Sequence, residues 1–310
     1  MRFIKRLIGL LVLLAILGGI AFWFVTAPQT VDASVIAGLP EGDAERGERI
    51  FWAGGCTSCH AAPKAEGEDR LRLGGGVELA TEFGTFVAPN ISQDATDGIG
   101  NWSAGDLVNA MMKGVSPDGR HYFPAFPYTS YARMKPADIT DLHAFLKTLP
   151  AVPGAAPGHR LSFPFNIRRG VGAWKLLYMR DEPVVAVDET NEQLVLGRYL
   201  VEGPGHCGEC HTPRLFSGGP KLDRWLSGAR AAEGDGIVPN ITPAEQGLGG
   251  WSAGDIANYL ETGFTPDFDS VGGAMVEVQK NLALLPAADR EAIAAYLKAI
   301  PGHPNGYTRN

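Results

Sequence analysis

Two pentapeptides hold the reactive chemistry of this chain: Cys56-Thr57-Ser58-Cys59-His60 and Cys207-Gly208-Glu209-Cys210-His211. Each reads C-x-x-C-H. At this spacing two thiols can add across the vinyl groups of one haem, and the next histidine falls under the ring, where its imidazole can bind iron. The two motifs use all four cysteines. The predicted cofactor-binding residues are therefore Cys56, Cys59, His60, Cys207, Cys210 and His211, holding two covalent c-type haems. A four-thiolate zinc site would not require a histidine after each pair, and its pairs usually lie closer in sequence. A thioredoxin-like CxxC needs a βαβ context, and the flanks here are not strand-like. With every cysteine on haem no disulfide is left, so core packing and the haems must hold the domains together.

The elements that must position these groups occur twice. Gly47-Glu48-Arg49-Ile50-Phe51 precedes the first motif, and Gly197-Arg198-Tyr199-Leu200-Val201 precedes the second. Pro89-Asn90-Ile91 recurs as Pro239-Asn240-Ile241, and Trp102-Ser103-Ala104-Gly105-Asp106 recurs unchanged as Trp251-Ser252-Ala253-Gly254-Asp255. Gly114 matches Gly263, and Ala144-Phe145-Leu146-Lys147 matches Ala295-Tyr296-Leu297-Lys298 before Pro150 and Pro301. Each repeat reads as three helices around a haem. The first helix runs into the CxxCH. The second is capped by Ser103 or Ser252, with Asp106 or Asp255 in its first turn. The third starts near Pro136 or Pro286 and stops at Pro150 or Pro301. Ile293, Tyr296, Leu297 and Ile300 form its apolar face in the second repeat. Gly47 and Gly197 are expected to let the first and third helices cross closely.

The N-terminus has the pattern of a membrane segment. Residues 7–31 carry no charge, and residues 7–25 suffice for a spanning helix. Arg2, Lys5 and Arg6 precede it, which puts the N-terminus in the cytoplasm and the rest outside. A cleaved signal peptide is the alternative; Val25-Thr26-Ala27 loosely resembles a cleavage site, but Pro28 follows directly. Either way the remainder is exported, as this type of haem attachment requires in bacteria. The chain has a net charge of −7 and no basic block, which excludes a nucleic-acid partner; 40 glycines and 22 prolines indicate many loops. The expected organisation is an anchor over residues 1–31, a haem domain over 42–152, a strap over 153–187 and a second haem domain over 188–303. The strap is too apolar for a free tether and is expected to pack across both domains. Its Arg168, Arg169 and Lys175 are candidates to meet a haem propionate; the alternative is solvated charge beside a packed helix.

These motifs resemble the class I cytochrome c superfamily. They are most similar to the multi-haem cytochrome subunits of membrane-associated bacterial alcohol and gluconate dehydrogenases. That resemblance implies a mainly α protein with two tandem cytochrome c-like domains after a transmembrane helix. Such subunits typically have three haem domains, where this chain has two. The resemblance also implies that Pro89 and Pro239 offer their carbonyls to the ligating imidazoles.

A second axial ligand is expected on each iron, commonly methionine. Met275, in Gly272-Gly273-Ala274-Met275, is the candidate in the second repeat. Counting from Gly114 and Gly263, its first-repeat equivalent is Phe126, which cannot ligate. In the resembling subunits this P-A-x-P-Y slot often holds methionine. Counting back from Pro150 and Pro301, Met134 falls opposite Leu285. The expected metal set is thus His60, Met134, His211 and Met275, with His121, otherwise a surface histidine, or an open iron as alternatives at the first haem. His143 and His206 are not expected to ligate, Met111 and Met112 are expected to pack inside the second helix, and Trp102 and Trp251 either border propionates or pack in the core.

The functional expectation is a membrane-anchored dihaem cytochrome c of the bacterial inner membrane, facing the periplasm. It would take electrons from a periplasmic dehydrogenase or other redox protein and pass them to a carrier, an oxidase or quinone. A dihaem cytochrome c peroxidase is the alternative, and would need one open haem.

Overall fold

A computed structural model describes residues 2–307 except Glu233 and Asp235. Met1, the first residue of the expected anchor segment, lies outside the described residues. The protein is mainly helical. Helix α1 (Arg2–Val25) contains no buried residue. Its 24 residues span about 36 Å at 1.5 Å per residue, more than a hydrocarbon core of about 30 Å. That length and composition are compatible with an anchor or a signal sequence.

The first half then contains α2 (Ala33–Ala37), α3 (Ala44–Ala53), α4 (Cys56–His60), a hairpin of β1 (Glu78–Thr81) and β2 (Gly84–Val87), α5 (Ala104–Lys113), α6 (Tyr128–Tyr131) and α7 (Pro136–Leu146). A connecting segment supplies β3 (Arg160–Leu161) and α8 (Gly170–Tyr178). The second half contains α9 (Glu192–Glu202), α10 (Gly208–His211), the short pair β4 (Ala229–Arg230) and β5 (Ile237–Val238), α11 (Ala253–Thr262), α12 (Met275–Leu282) and α13 (Ala287–Ala299). The helical order α3 to α7 is thus repeated by α9 to α13.

Local chemistry fixes the helix ends alike in both halves. Ser103 and Ser252 each form a capping box with the aspartate three residues on. Gly114 and Gly263 end α5 and α11 in the left-handed conformation. The long helices then cross as α3 on α7 and α9 on α13. A Cβ on Gly47 would overlap the carbonyl oxygen of Asp141, and one on Gly197 that of Ala292. Both crossings therefore require glycine, as expected from the sequence. Gly197→Ala should cost about 3 kcal/mol, because overpacking at a backbone contact outweighs the up to ~1 kcal/mol gained in helix propensity. Denaturant unfolding of the holoprotein checks this, and an unchanged midpoint would contradict the close crossing.

Two main apolar cores result, beside a small cluster of Phe86, Phe123 and Val171. Phe51, Val108, Ile139, Leu142 and Phe145 belong to the first, with Met111 buried and Met112 packed against it; Leu200, Ile256, Ile293, Tyr296 and Leu297 belong to the second. All four residues of the apolar face predicted on α13 and its end are buried. Trp102 and Trp251 pack against the first and second core respectively.

The connecting segment does pack across both halves. β3 adds to β2, a small sheet not foreseen from sequence. Trp174 donates through Nε1 to the Ser217 carbonyl (2.9 Å) and places its ring edge-on to Tyr128. Arg168, Arg169 and Lys175 each bond a protein group. Arg168 donates to the His121 carbonyl (2.6 Å), and Arg169 to the Trp23 carbonyl and to Thr26 Oγ1. Lys175 Nζ caps α5 through the carbonyls of Lys113 and Gly114 (2.6 and 2.7 Å). Burial pulls the Lys175 ammonium down to about 7.

The halves meet around an approximate two-fold axis. Arg49 on α3 makes a bidentate pair with Asp289 at the start of α13 (both bonds 2.6 Å). The equivalent residues pair the other way: Tyr199 on α9 donates to Asp138 at the start of α7. The contact is isologous in the manner of a symmetric dimer, although it lies within one chain.

Candidate haem sites

Helix α4 spans the first CxxCH, and α10 starts directly after Cys207, which caps it in helical conformation, so the two cysteines of each pair lie one turn apart. None of the four cysteines is in a disulfide. Among the described residues no cluster of three or more His, Cys, Asp or Glu suits a metal ion, so the two pairs do not converge on one thiolate site. Burial pushes the Cys56 and Cys207 thiols up to about 12.

The histidines are held identically. His60 Nδ1 donates to the Pro89 carbonyl at 2.8 Å, and His211 Nδ1 to the Pro239 carbonyl at 2.7 Å. This fixes the tautomer and leaves Nε2 of each ring as the lone-pair donor. Burial also lowers both imidazole pKa values, which keeps the rings neutral. These prolines act as the sequence resemblance implied.

The Pro-Asn-Ile repeat has a second use that sequence reasoning missed. Asn90 Nδ2 donates to the Val152 carbonyl (2.7 Å), and Asn240 Nδ2 to the His303 carbonyl (2.8 Å). Each asparagine thereby ties the loop bearing the proline to the chain leaving the last helix. Gly75 and Gly228 were missed as well. Their amides donate to the carbonyls of His60 (2.8 Å) and His211 (2.7 Å). Both have positive φ, and a Cβ on either would strike the Pro-Asn backbone. The signal was present as Leu73-Gly74-Gly75 and Leu226-Ser227-Gly228, a Leu-x-Gly that recurs upstream of each Pro-Asn-Ile.

The candidate sixth ligands sit differently in the two halves. Met275 opens α12 and is half-buried against the same core as Cys207 and Ile241. Met134 follows α6 and is 3% exposed, in the core that also meets Cys56, Ile91 and Phe126. Its counterpart Leu285 is equally buried. Phe126 is ringed by Tyr122, Tyr128 and Tyr131.

His121, expected at the surface, is buried; the structure points its Nε2 at the Thr26 carbonyl (2.9 Å). His143 bonds the Trp102 carbonyl (3.0 Å) and His206 the Gly54 carbonyl (3.2 Å).

The residues between the cysteines face the opposite half. Asn281 of α12 accepts from Thr57 Oγ1 (2.8 Å) and donates to Ser58 Oγ (3.1 Å). On the other side of the axis, Glu209 accepts from Thr129 Oγ1 (2.6 Å) and Ser130 Oγ (2.8 Å) of α6. Burial opposes ionisation of Glu209, but Arg214 and the two hydroxyls outweigh it and hold its carboxyl below the usual range. Each attachment loop is thus tied to a helix of the opposite half. In each half the donor set of two unbridged cysteines and one oriented imidazole fits a c-type haem.

The cytochrome c family profile matches residues 44–150. A diheme cytochrome c-type protein of Cereibacter sphaeroides is 55% identical over 288 residues, covering 93% of this chain and 96% of that protein. The fructose dehydrogenase cytochrome subunit of Gluconobacter japonicus is 36% identical, over 83% of this chain and 52% of its own length. The gluconate 2-dehydrogenase cytochrome c subunit of Pantoea cypripedii is 32% identical, over 93% of this chain and 64% of its own. The chain therefore spans about half to two thirds of these dehydrogenase subunits. Its paired attachment loops, its His–Pro bonds and a relative similar along nearly the whole length place the chain in the cytochrome c family, among the dihaem cytochromes c.

Proposed function

We propose that this chain is a membrane-anchored electron carrier with two haems, fed by a periplasmic dehydrogenase and discharging to a downstream carrier, an oxidase or quinone. The observation that carries this reading is the duplication of the complete attachment geometry, CxxCH with its His–Pro bond, in two halves each of whose attachment loops bonds a helix of the other. The haem domains would span residues 42–152 and 188–303, joined by the strap at 153–187, with residues 1–31 as the anchor in the bacterial inner membrane. Cys56 and Cys59 would hold the first haem with His60 and Met134 as axial ligands. Cys207 and Cys210 would hold the second with His211 and Met275.

Haem supplies the one-electron iron couple; the protein supplies position, axial ligands and dielectric. His60 and His211 present Nε2 because Pro89 and Pro239 occupy Nδ1. Met134 and Met275, each against an apolar core, would offer their thioethers to the bound irons and limit the access of water there. The Asn281 and Glu209 contacts tie each attachment loop to the opposite half, which would hold two bound haems at a fixed spacing. The dehydrogenase-subunit relatives support a dehydrogenase as the donor. They give no support to the peroxidase alternative.

Affinity purification of the full chain from detergent-solubilised membranes tests the proposal. The expected result is a co-purifying dehydrogenase whose substrate reduces both haems in the purified complex. Isolation alone, with reduced haem that hydrogen peroxide re-oxidises catalytically, would reject the carrier in favour of the peroxidase.

A further inference from the structure

The end of α1 is bolted to the globular part. Thr26 is buried; its carbonyl accepts from His121 and its hydroxyl from Arg169 (3.1 Å). The Arg169 guanidinium stacks on the Trp23 ring, 4.1 Å from its centroid. Gly172 packs so closely on Thr26 that a Cβ there would overlap its carbonyl oxygen. A helix end held by this many contacts cannot swivel on a loose tether. If α1 crosses a bilayer, the surface beside its exit therefore faces that bilayer in a fixed orientation.

That surface is apolar where a soluble face would be polar. Phe163, Phe165 and Ile167 lie exposed just before Arg169, with Phe163 at 79%. Leu176 and Leu177 are exposed near the far end of α8, about 10 Å along the helix at 1.5 Å per residue. The band continues into the second half. Phe165 packs on Phe83, Phe83 faces Gly218, and the adjoining Ser217 holds Trp174 and Tyr178. Phe216, next to Ser217, is 92% exposed.

Charge singles out the same segment. Residues 151–180 contain no acidic residue, in a chain of net charge −7; of their basic residues Arg160 and Arg180 are exposed, Arg160 paired with Glu78, while Arg168, Arg169 and Lys175 are turned to protein partners. Exposed aromatic and aliphatic side chains on a segment free of carboxylates suit the headgroup and upper acyl region of a membrane.

We infer that residues 163–177 and Phe216 form a lipid-contact face, seated in the outer-leaflet interface of the same bilayer that α1 spans. This rests on the anchor reading given above. The seat would set the height and tilt of both haem domains over the membrane, so that a membrane-bound acceptor meets one fixed side of the protein.

Site-specific photocrosslinking of the full-length holoprotein in native membranes tests it. The variants are Phe163→p-benzoylphenylalanine and Leu177→p-benzoylphenylalanine. The control is the same replacement of Phe268, 89% exposed on the turn that is the second half's counterpart of the 115–121 turn beside the anchor. Intact mass spectrometry should show phospholipid adducts at 163 and 177 at least tenfold above those at 268. Adducts to another protein at 163 and 177, or no adduct there, would overturn the proposal. The same spectra report whether residues 2–25 remain. Their absence would reject the anchor independently, and lipid adducts in that case would still support the seat.

Discussion

Replacing Cys207 and Cys210 together by alanine is expected to remove one covalent haem completely and leave the other. Intact mass spectrometry of the native holoprotein should show two haem additions, and the double variant one. Cys56→Ala with Cys59→Ala should give the mirror result. The basis is that each half contains its own full set: two thiols one turn apart, an imidazole oriented by a proline carbonyl, and a surrounding core. Thioether attachment depends on the local pair of thiols, so losing one pair leaves the other intact. Stability should not divide so cleanly. Glu209 lies between the second pair of cysteines and is tied to Thr129 and Ser130 of the first half. The double variant should therefore also show a lower unfolding midpoint in the half that retains its haem. One haem in the native protein, or a bound zinc ion in its place, would remove the central claim.

Much of this arrangement was legible because it is written twice. A cap such as Ser103 with Asp106 is a local pattern, and its return as Ser252 with Asp255 made both helix starts readable. Gly47 and Gly197 were legible for the same reason: a small residue at one point of a repeated apolar helix has few explanations other than close approach. The interface between the halves was not legible. Its contacts are equivalent in space but not in residue type, since Arg49 with Asp289 corresponds to Tyr199 with Asp138. An alignment of the repeats shows Asp138 and Asp289 as a match and Arg49 and Tyr199 as a mismatch, and nothing in it says that each pairs across the halves. His121 was misjudged because its burial depends on Thr26, 95 positions away in the chain, and on Gly172 of the strap. Lys175 was unreadable for a related reason. Its role is to neutralise the carboxyl end of α5, a partner that exists only once the strap has folded back. Asn90 and Asn240 were visible as repeats, yet their task requires knowing where the chain goes after the last helix.

The two irons are expected to respond separately to loss of their methionines. Met275→Ala should convert only the second haem from low to high spin, and remove about half of the far-red methionine-to-iron absorption, since only a donor close to the iron can complete its coordination. Met134→Ala should do the same at the first haem. Phe126, which stands where Met275 stands in the second half, offers no donor atom. Met134 is the sulfur buried in the core that also meets Cys56 and Ile91, as Met275 borders the core that meets Cys207 and Ile241. His121 is the weaker alternative on geometric grounds. Its Nε2 is committed to the Thr26 carbonyl, and ligation would have to break the junction that holds the end of α1. His121→Ala is accordingly expected to leave both haem spectra unchanged while loosening that junction. If Met134→Ala leaves the first haem low-spin and His121→Ala abolishes that signal, ligation there is bis-histidine and the first haem has the lower potential. If neither variant changes the spectrum and the native protein already contains one high-spin haem, the first iron is open, and the peroxidase reading regains its footing.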